Sequence, residues 1–334
     1  MSAMPKHQSA AAARAAYEHD LPSGISAVVP VYNSEITLPK LVSELSEVLP
    51  QCNKRFEVVL VNDDSRDQSW EVICGLAREY PFVRGINLTR NFGQHNATLC
   101  GVHAARFEIT VTMDDDLQDP PSQIPQLLAK LEEGFDLVYG TAEKKAQSWW
   151  RDLGSRVMKK AHAVAMRQPA LTSVSSFRAF RTSIRTASLN YASPRLLIDV
   201  LLGWGTTRIT AAPIRFSPRK EGQSNYSFGK LFEMTVLLWT SYTTVPLRIA
   251  SLIGFLFVLF GMFVLAYVLA TYFIEGSLPG FPFLASLIAI FGGVQLFTLG
   301  VVGEYLANIF DRSLNRPIYM VKSVTEVSSL EDAR

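Results

Sequence analysis

The stretch Ile109-Thr110-Val111-Thr112-Met113-Asp114-Asp115-Asp116-Leu117-Gln118-Asp119-Pro120-Pro121 decides the fold. Its first four residues are β-branched and uncharged, which reads as a buried strand. That strand discharges into three successive carboxylates, and like charges so close repel and raise each other's pKa. A divalent cation resolves the conflict, because Mg2+ or Mn2+ at a nucleotide site is held by one or two carboxylates completed by substrate phosphates. Asp114, Asp115 and Asp116, with Gln118 just beyond, are therefore the candidate cation site. The alternative is an acidic N-cap for the following helix, for which one Asp would be enough. Pro120-Pro121 stops the strand and opens that helix, expected over residues 122–133.

Outward from this stretch, strands alternate with helices. Strands are expected at residues 26–31, 56–61, 83–88 and 135–140, and helices at 37–49, 68–80 and 96–105. Such alternation implies an α/β fold with a doubly wound, mostly parallel sheet, whose ligands bind at the carboxyl ends of the strands. Polar clusters stand at three of those ends: Asn33 to Glu35, Asn62 to Asp67, and Asp114 to Gln118. Asp63 and Asp64 offer acceptor-only oxygens to the N–H and O–H donors of a base or ribose. An Asx turn in Asn62-Asp63-Asp64-Ser65 explains the local geometry equally well. Arg90 follows another strand and can pair with a phosphate or an acidic neighbour. His95 and His103 lack metal-ligand spacing and read as satisfied polar contacts. Neither GxGxxG nor GxxxxGK[ST] is present, so dinucleotide and P-loop readings lose their main support.

The formal net charge is +2, so nucleic acid is not an obvious partner. Cys52, Cys74 and Cys100 show neither a disulfide framework nor zinc spacing and fit reduced thiols. Two uncharged stretches, 249–274 and 276–303, each exceed the ~20 residues that cross a bilayer core. Arg248 precedes the first, Arg312, Arg316 and Lys322 follow the second, and the loop between carries no Lys or Arg. The positive-inside rule then places both termini and the sheet domain in the cytoplasm. Glycines at 254 and 261, and at 293 and 300, let helices approach closely, within the hairpin or in a homo-oligomer.

Between 144 and 167 basic residues interleave with Trp149, Trp150 and Leu153, the pattern of a helix in a headgroup layer or of a basic surface helix. A second interfacial helix is expected over 231–243. Arg178, Arg181 and Arg185 share one face if helical, and could take a lipid phosphate or a leaving diphosphate, or be ordinary surface arginines.

The chain resembles glycosyltransferase family 2, and within it the polyisoprenyl-phosphate glycosyltransferases. The resemblance runs from about residue 25 to 321. It rests on Val29-Pro30-Val31-Tyr32-Asn33, Val61-Asn62-Asp63-Asp64-Ser65, Arg90-Asn91-Phe92-Gly93-Gln94-His95, Asp114 to Pro121, Arg219 with Gly222-Gln223-Ser224-Asn225-Tyr226, and Gly303-Glu304-Tyr305-Leu306 before Arg316-Pro317. It implies a GT-A-like cytosolic domain that passes a sugar from a nucleotide-diphosphate sugar to a polyprenyl phosphate such as undecaprenyl phosphate, with inversion. On the matching positions, Asp114, Asp116 and Gln118 would hold Mg2+ or Mn2+. Pro30, Tyr32, Asn33, Glu35, Asp63, Asp64, Arg90 and Asp115 would line the donor site. Arg219, Ser224 and Tyr226, with Arg178 and Arg181, would face the phosphates.

Expected domains are a disordered tail (1–24), the catalytic domain (25–226), an interfacial helix (227–246), a transmembrane hairpin (247–310, spans 249–274 and 281–303) and a cytosolic tail (311–334), in a bacterial inner membrane. The chain departs from the family at Ala142 and Lys145 (often Arg), at Ser175-Ser176 (often Gly-Asp) and at Asn225 (often Lys). Two rival readings remain: a degenerate homologue serving as a membrane assembly partner, and a processive polysaccharide synthase. The second lacks support, since neither Gln-x-x-Arg-Trp nor additional membrane helices are found.

Overall fold

The computed structural model describes residues 21–142, 175–189, 196–215, 240, 242–275 and 280–325. The chain clusters into two compact units, residues 1–224 with 315–334, and residues 225–314. In chain order the first unit contains β1 (Ile25–Val31), α1 (Leu38–Cys52), β2 (Phe56–Asn62), α2 (Ser69–Glu79), β3 (Val83–Leu88), α3 (Gln94–Ala104) and β4 (Ile109–Thr112). A 3-10 turn (Pro121–Gln123) leads to α4 (Ile124–Glu132), β5 (Leu137–Ala142), β6 (Arg178–Arg181), a 3-10 segment (Thr182–Ser188), α5 (Ile198–Gly205) and β7 (Ile209–Ile214). The second unit holds α6 (Val245–Glu275) and α7 (Phe281–Ser313), after which β8 (Val321–Val324) belongs again to the first.

The eight strands form one mixed sheet in the order β7-β5-β6-β4-β1-β2-β3-β8. β1 pairs in parallel with β2 and with β4, β2 with β3, and β5 with β7, while β6 and β8 run antiparallel to their neighbours. Alternate residues of the central strands bury on opposite faces. Ala27, Val29 and Val31 pack with Leu41, Leu45, Ile73 and Leu127, from the α1, α2 and α4 side. Val28, Val59 and Val61 pack with Ala97 and Cys100 of α3. A Cβ on Gly101 would lie 2.3 Å from Val28 Cγ1, so glycine there lets α3 seat on β1. Strand order reverses between β1 and β4, which puts the ligand crevice at the carboxyl ends of those two strands.

One expectation is corrected. Residues 178–181 form β6, not a helix, so Arg178 and Arg181 do not share a helical face with Arg185. The reason is tertiary: Phe177, Ala179 and Phe180 are wholly buried between β4, β5 and the flanking layers. The tail after the second apolar helix returns to the sheet, where Thr325 N donates to Gly85 O at 3.0 Å and Gly85 N to Thr325 Oγ1 at 2.9 Å. His103 is a satisfied polar contact, its Nδ1 2.9 Å from Tyr319 Oη and its Nε2 2.9 Å from Ser188 Oγ. The three cysteines are free thiols.

α6 and α7 include helices long and apolar enough to cross a membrane, Val245–Ile274 and Ile290–Ser313. A Cβ on Gly261 would lie 3.3 Å from Phe291 Cζ, whereas among the described residues nothing lies within 4 Å of a Cβ on Gly254, Gly293 or Gly300. The basic segment 144–167, the interfacial helix at 231–239, the loop 276–279 and the N-terminal residues 1–20 lie outside the described residues.

Candidate active site

Four loops meet at the carboxyl edge of the sheet, following β1, β2, β3 and β4. Three of them turn through a non-glycine residue in the left-handed region: Asn33 (φ 56°), Asp64 (φ 55°) and Leu117 (φ 61°). Strained backbone of this kind persists where surrounding bonds over-determine it, and those bonds are present. Asn33 N donates to Ser65 Oγ at 3.0 Å, and Arg66 N donates to Asn33 Oδ1 at 2.8 Å. Glu35 N donates to Asp67 Oδ2 at 3.1 Å, and Gln68 N to Glu35 Oε2 at 2.8 Å. Ser65 N donates to Asn62 Oδ1 at 3.4 Å, so the turn read in the sequence forms alongside any ligand role.

The middle of the acidic stretch crosses to β1. Asp115 Oδ2 accepts from Tyr32 N at 3.1 Å and from the Ser34 hydroxyl. Asp115 thus closes the crevice floor between β4 and β1, while Tyr32 is 43% exposed at its mouth. Asp63 is buried, its oxygens accepting from Phe92 N (2.7 Å) and Gly93 N (2.8 Å). It holds the β3 loop, whereas its neighbour Asp64 is exposed. Pro30 is buried on β1 in register with Val61. Arg90 is exposed and stacks 4.6 Å over the Phe92 ring.

Asp114 is held from two sides, accepting from Gln94 Nε2 at 2.6 Å and from Ser176 Oγ at 2.8 Å. Its own N–H donates to Asp119 Oδ2 at 3.0 Å. Asp116 is exposed, and the backbone N–H and side-chain amide of Gln118 both donate to it. The amide of Gln118 therefore braces Asp116. No side chain of this stretch caps the 3-10 turn or α4, which removes the N-cap alternative. Ser34, Gln94 and Asp119 were not among the candidate site residues. Each stood only within a quoted motif or polar cluster, Asp119 as a fourth acid beside the triplet.

Behind the cluster lies Arg178, fully buried, where Nε donates to Thr112 Oγ1 at 2.9 Å and the guanidinium pairs with Asp199. It backs the acids and does not reach a substrate phosphate. Arg181 lies at the opposite end of β6, beside Ile109, with Nη1 2.8 Å from Glu108 Oε1 and Nε 3.7 Å from Asp136 Oδ1, away from the crevice. Arg219, Ser224 and Tyr226 fall outside the described residues.

The electrostatics follow from burial. Desolvation pushes the Asp119 carboxyl up to about 7, with repulsion from Asp114 and Asp116 adding to it. Burial lifts Asp115 to about 6 against the donors Ser34 and Tyr32 N, and Asp114 also rises, through burial and the charge of Asp116. Such a set fits a hard cation, since every donor is oxygen. Among the described residues no three acidic, imidazole or thiol groups converge on a closed cage. A cation held by only one or two of these acids would have its remaining positions completed by phosphate oxygens.

A pH signature follows. The folded chain holds protons on Asp119 and Asp115 that an unfolded chain has released, so these groups make stability fall as pH rises through their folded values of about 6 and 7. His103, held down to about 4 by burial and Arg185, acts oppositely below its unfolded value. Between about pH 6.5 and 7.5 the His103 contribution fades and the carboxylate slope outweighs it. The melting temperature without divalent ion should decline across that window, and saturating Mn2+ should abolish the decline; a flat profile in both conditions contradicts this electrostatic picture.

A mostly parallel sheet with acids at its switch point defines a GT-A-like glycosyltransferase, and the chain belongs to glycosyl transferase family 2, whose model matches residues 26–186. It is 34% identical over 323 residues, 93% of this chain and 95% of the relative, to undecaprenyl-phosphate 4-deoxy-4-formamido-L-arabinose transferase of Shewanella sediminis (strain HAW-EB3). Among solved structures, glucosyl-3-phosphoglycerate synthase of Mycobacterium tuberculosis in complex with phosphoglyceric acid matches with a TM-score of 0.48 and 19% identity, over 72% of this chain and 84% of that one. S. aureus TarS 1-349 in complex with UDP-GlcNAc matches with a TM-score of 0.45 and 17% identity, over 64% and 66%.

Proposed function

We propose that this protein is a membrane-bound, metal-dependent, inverting glycosyltransferase that moves a sugar from a nucleotide-diphosphate sugar to undecaprenyl phosphate or a similar polyprenyl phosphate. The observation that carries it is the placement of Asp114 and Asp116 just after β4, at the β1/β4 switch point, in a chain whose relative is named for that acceptor. The apolar helices α6 and α7 are the proposed hairpin in a bacterial inner membrane, with the sheet unit and both termini on the cytoplasmic side. The basic segment 144–167 and residues 227–246 would lie in the headgroup layer. A homo-oligomer would use the open glycine faces of the hairpin.

Each residue then has a task. Asp64, with Tyr32, would meet the nucleoside, and Asp63, Asn33, Glu35 and Asp115 keep that pocket in shape. Asp114 and Asp116 would hold Mg2+ or Mn2+, braced by Gln118. A bound cation would neutralise charge on the leaving diphosphate. Arg219, Ser224 and Tyr226 would take the phosphates on the acceptor side.

A phosphate monoester has a second pKa of about 6, so the acceptor is mostly a dianion at neutral pH and needs little help losing a proton. That is why Ser176 suffices where relatives often carry Asp. Its hydroxyl donates to Asp114, and a carboxylate in its place would face Asp114 and Asp119 instead. Ser176→Asp should alter turnover by less than about tenfold, well short of the roughly 10²–10⁴-fold that a true general base contributes. A gain of orders of magnitude would show that proton removal is limiting.

The decisive assay is purified protein with Mn2+, polyprenyl phosphate and a panel of nucleotide sugars. Nucleoside diphosphate should appear only when lipid is present. Silence with every donor would favour an assembly role, and transfer to a growing sugar polymer a processive synthase.

A further inference from the structure

We propose that Gln94 is a positioning residue for the cation-side carboxylate, and that the Phe92–Gln94 segment ties the nucleotide-side acid to it. This rests on the reading of Asp114 and Asp116 as cation ligands. Three consecutive residues span the crevice. Phe92 N and Gly93 N donate to Asp63, after β2, and the next side chain donates to Asp114, after β4. The span is stiff. Gly93 takes φ +91°, which side-chain-bearing residues rarely adopt, and its carbonyl accepts from Asn96 N and Ala97 N as α3 begins. Thr98 Oγ1 donates to Gln94 O at 2.8 Å, pinning the backbone from which the amide reaches out.

The chemistry suits that place. A carboxylate only accepts, so the amide presents its N–H to Asp114 Oδ1 while Ser176 occupies Oδ2 from the other side. Each oxygen keeps a lone pair for a cation, and the carboxylate cannot rotate. A neutral donor does this without the repulsion that Lys or Arg would exert on an incoming divalent ion, and without the repulsion a further carboxylate would add. Outer groups that orient metal ligands govern affinity by roughly 10–100-fold.

The test is Gln94→Met, which keeps length and loses the donor, in the full chain in detergent. Free Mn2+ is titrated by electron paramagnetic resonance, alone and with UDP, and UDP binding is measured separately in EDTA. Mn2+ affinity should fall roughly 10–100-fold in the variant, with metal-free UDP affinity unchanged because Asp63 and its loop are intact. Mn2+ affinity equal to wild type overturns the assignment. So does a matching loss of metal-free UDP affinity, which would mark a general disturbance of the loop. Failure of the wild type to take up Mn2+ even with UDP would overturn the underlying cation reading as well, and is thereby told apart.

Discussion

Replacing Asp116 by Asn is expected to lower lipid-dependent release of nucleoside diphosphate by roughly 10³-fold, the scale on which a single preorganised electrostatic contact to a reacting group acts. The substitution isolates charge. Asp116 is exposed; Gln118 N donates to its Oδ1 and the Gln118 side-chain amide to its Oδ2, and in Asn the remaining oxygen keeps the first bond while the Gln118 amide can turn its own oxygen toward the new NH2. Folding should therefore be untouched, and the melting temperature with it. The stabilisation that Mn2+ with UDP confers on the native state by mass action should shrink in parallel with activity. Asp114→Asn should lose as much, and it also disturbs the contacts to Gln94 and Ser176. Asp64→Asn, at the nucleoside end, should act mainly on KM for the donor. Retention of activity within about tenfold in Asp116→Asn would mean that this carboxylate does not face a reacting phosphate.

The second large effect concerns stability. Arg178 and Asp199 form an ion pair in which both side chains are buried, 3% and 9% exposed. Removing one partner of such a pair leaves an uncompensated charge and costs about 3–5 kcal/mol. Asp199→Leu should accordingly unfold at markedly lower denaturant. Combining it with Arg178→Met should recover most of the loss, because two apolar side chains of similar volume replace both charges. Activity should not recover in the double variant. Arg178 is the positive charge behind Asp114 and Asp119; burial lowers its pKa, and the charges of those acids oppose that lowering. Without it those acids repel each other more strongly. Equal stability losses in the single and double variants would show that the site needs the charges for folding itself. Recovery of both stability and turnover would show that Arg178 plays no part in arranging the acids.

Elements carried by local pattern were legible in the chain. β3 and β4 lie at the expected residues, β4 because a β-branched run bounded by charged residues has little alternative. The acidic stretch was legible because three carboxylates after a buried strand are costly without a cation. The two apolar helices needed only length and lack of charge. β6 was misread because Arg178, Arg181 and Arg185 fit a helical spacing, and only enclosure by β4 and β5 makes residues 178–181 a strand. β8 was missed because a four-residue exposed strand has no period to detect and exists through its pairing with β3.

The amino-acid order thus settled that strands feed acids to one edge of a sheet and that an apolar hairpin follows, since both arise from neighbours along the chain. Which donor restrains each acid was decided only on folding. Gln94 meets Asp114 across 20 residues, Ser176 meets it across 62, and Ser34 meets Asp115 across 81. Hydrogen bonds reach about 3 Å, and whether two distant side chains come that close depends on how whole layers pack, which no local spacing records.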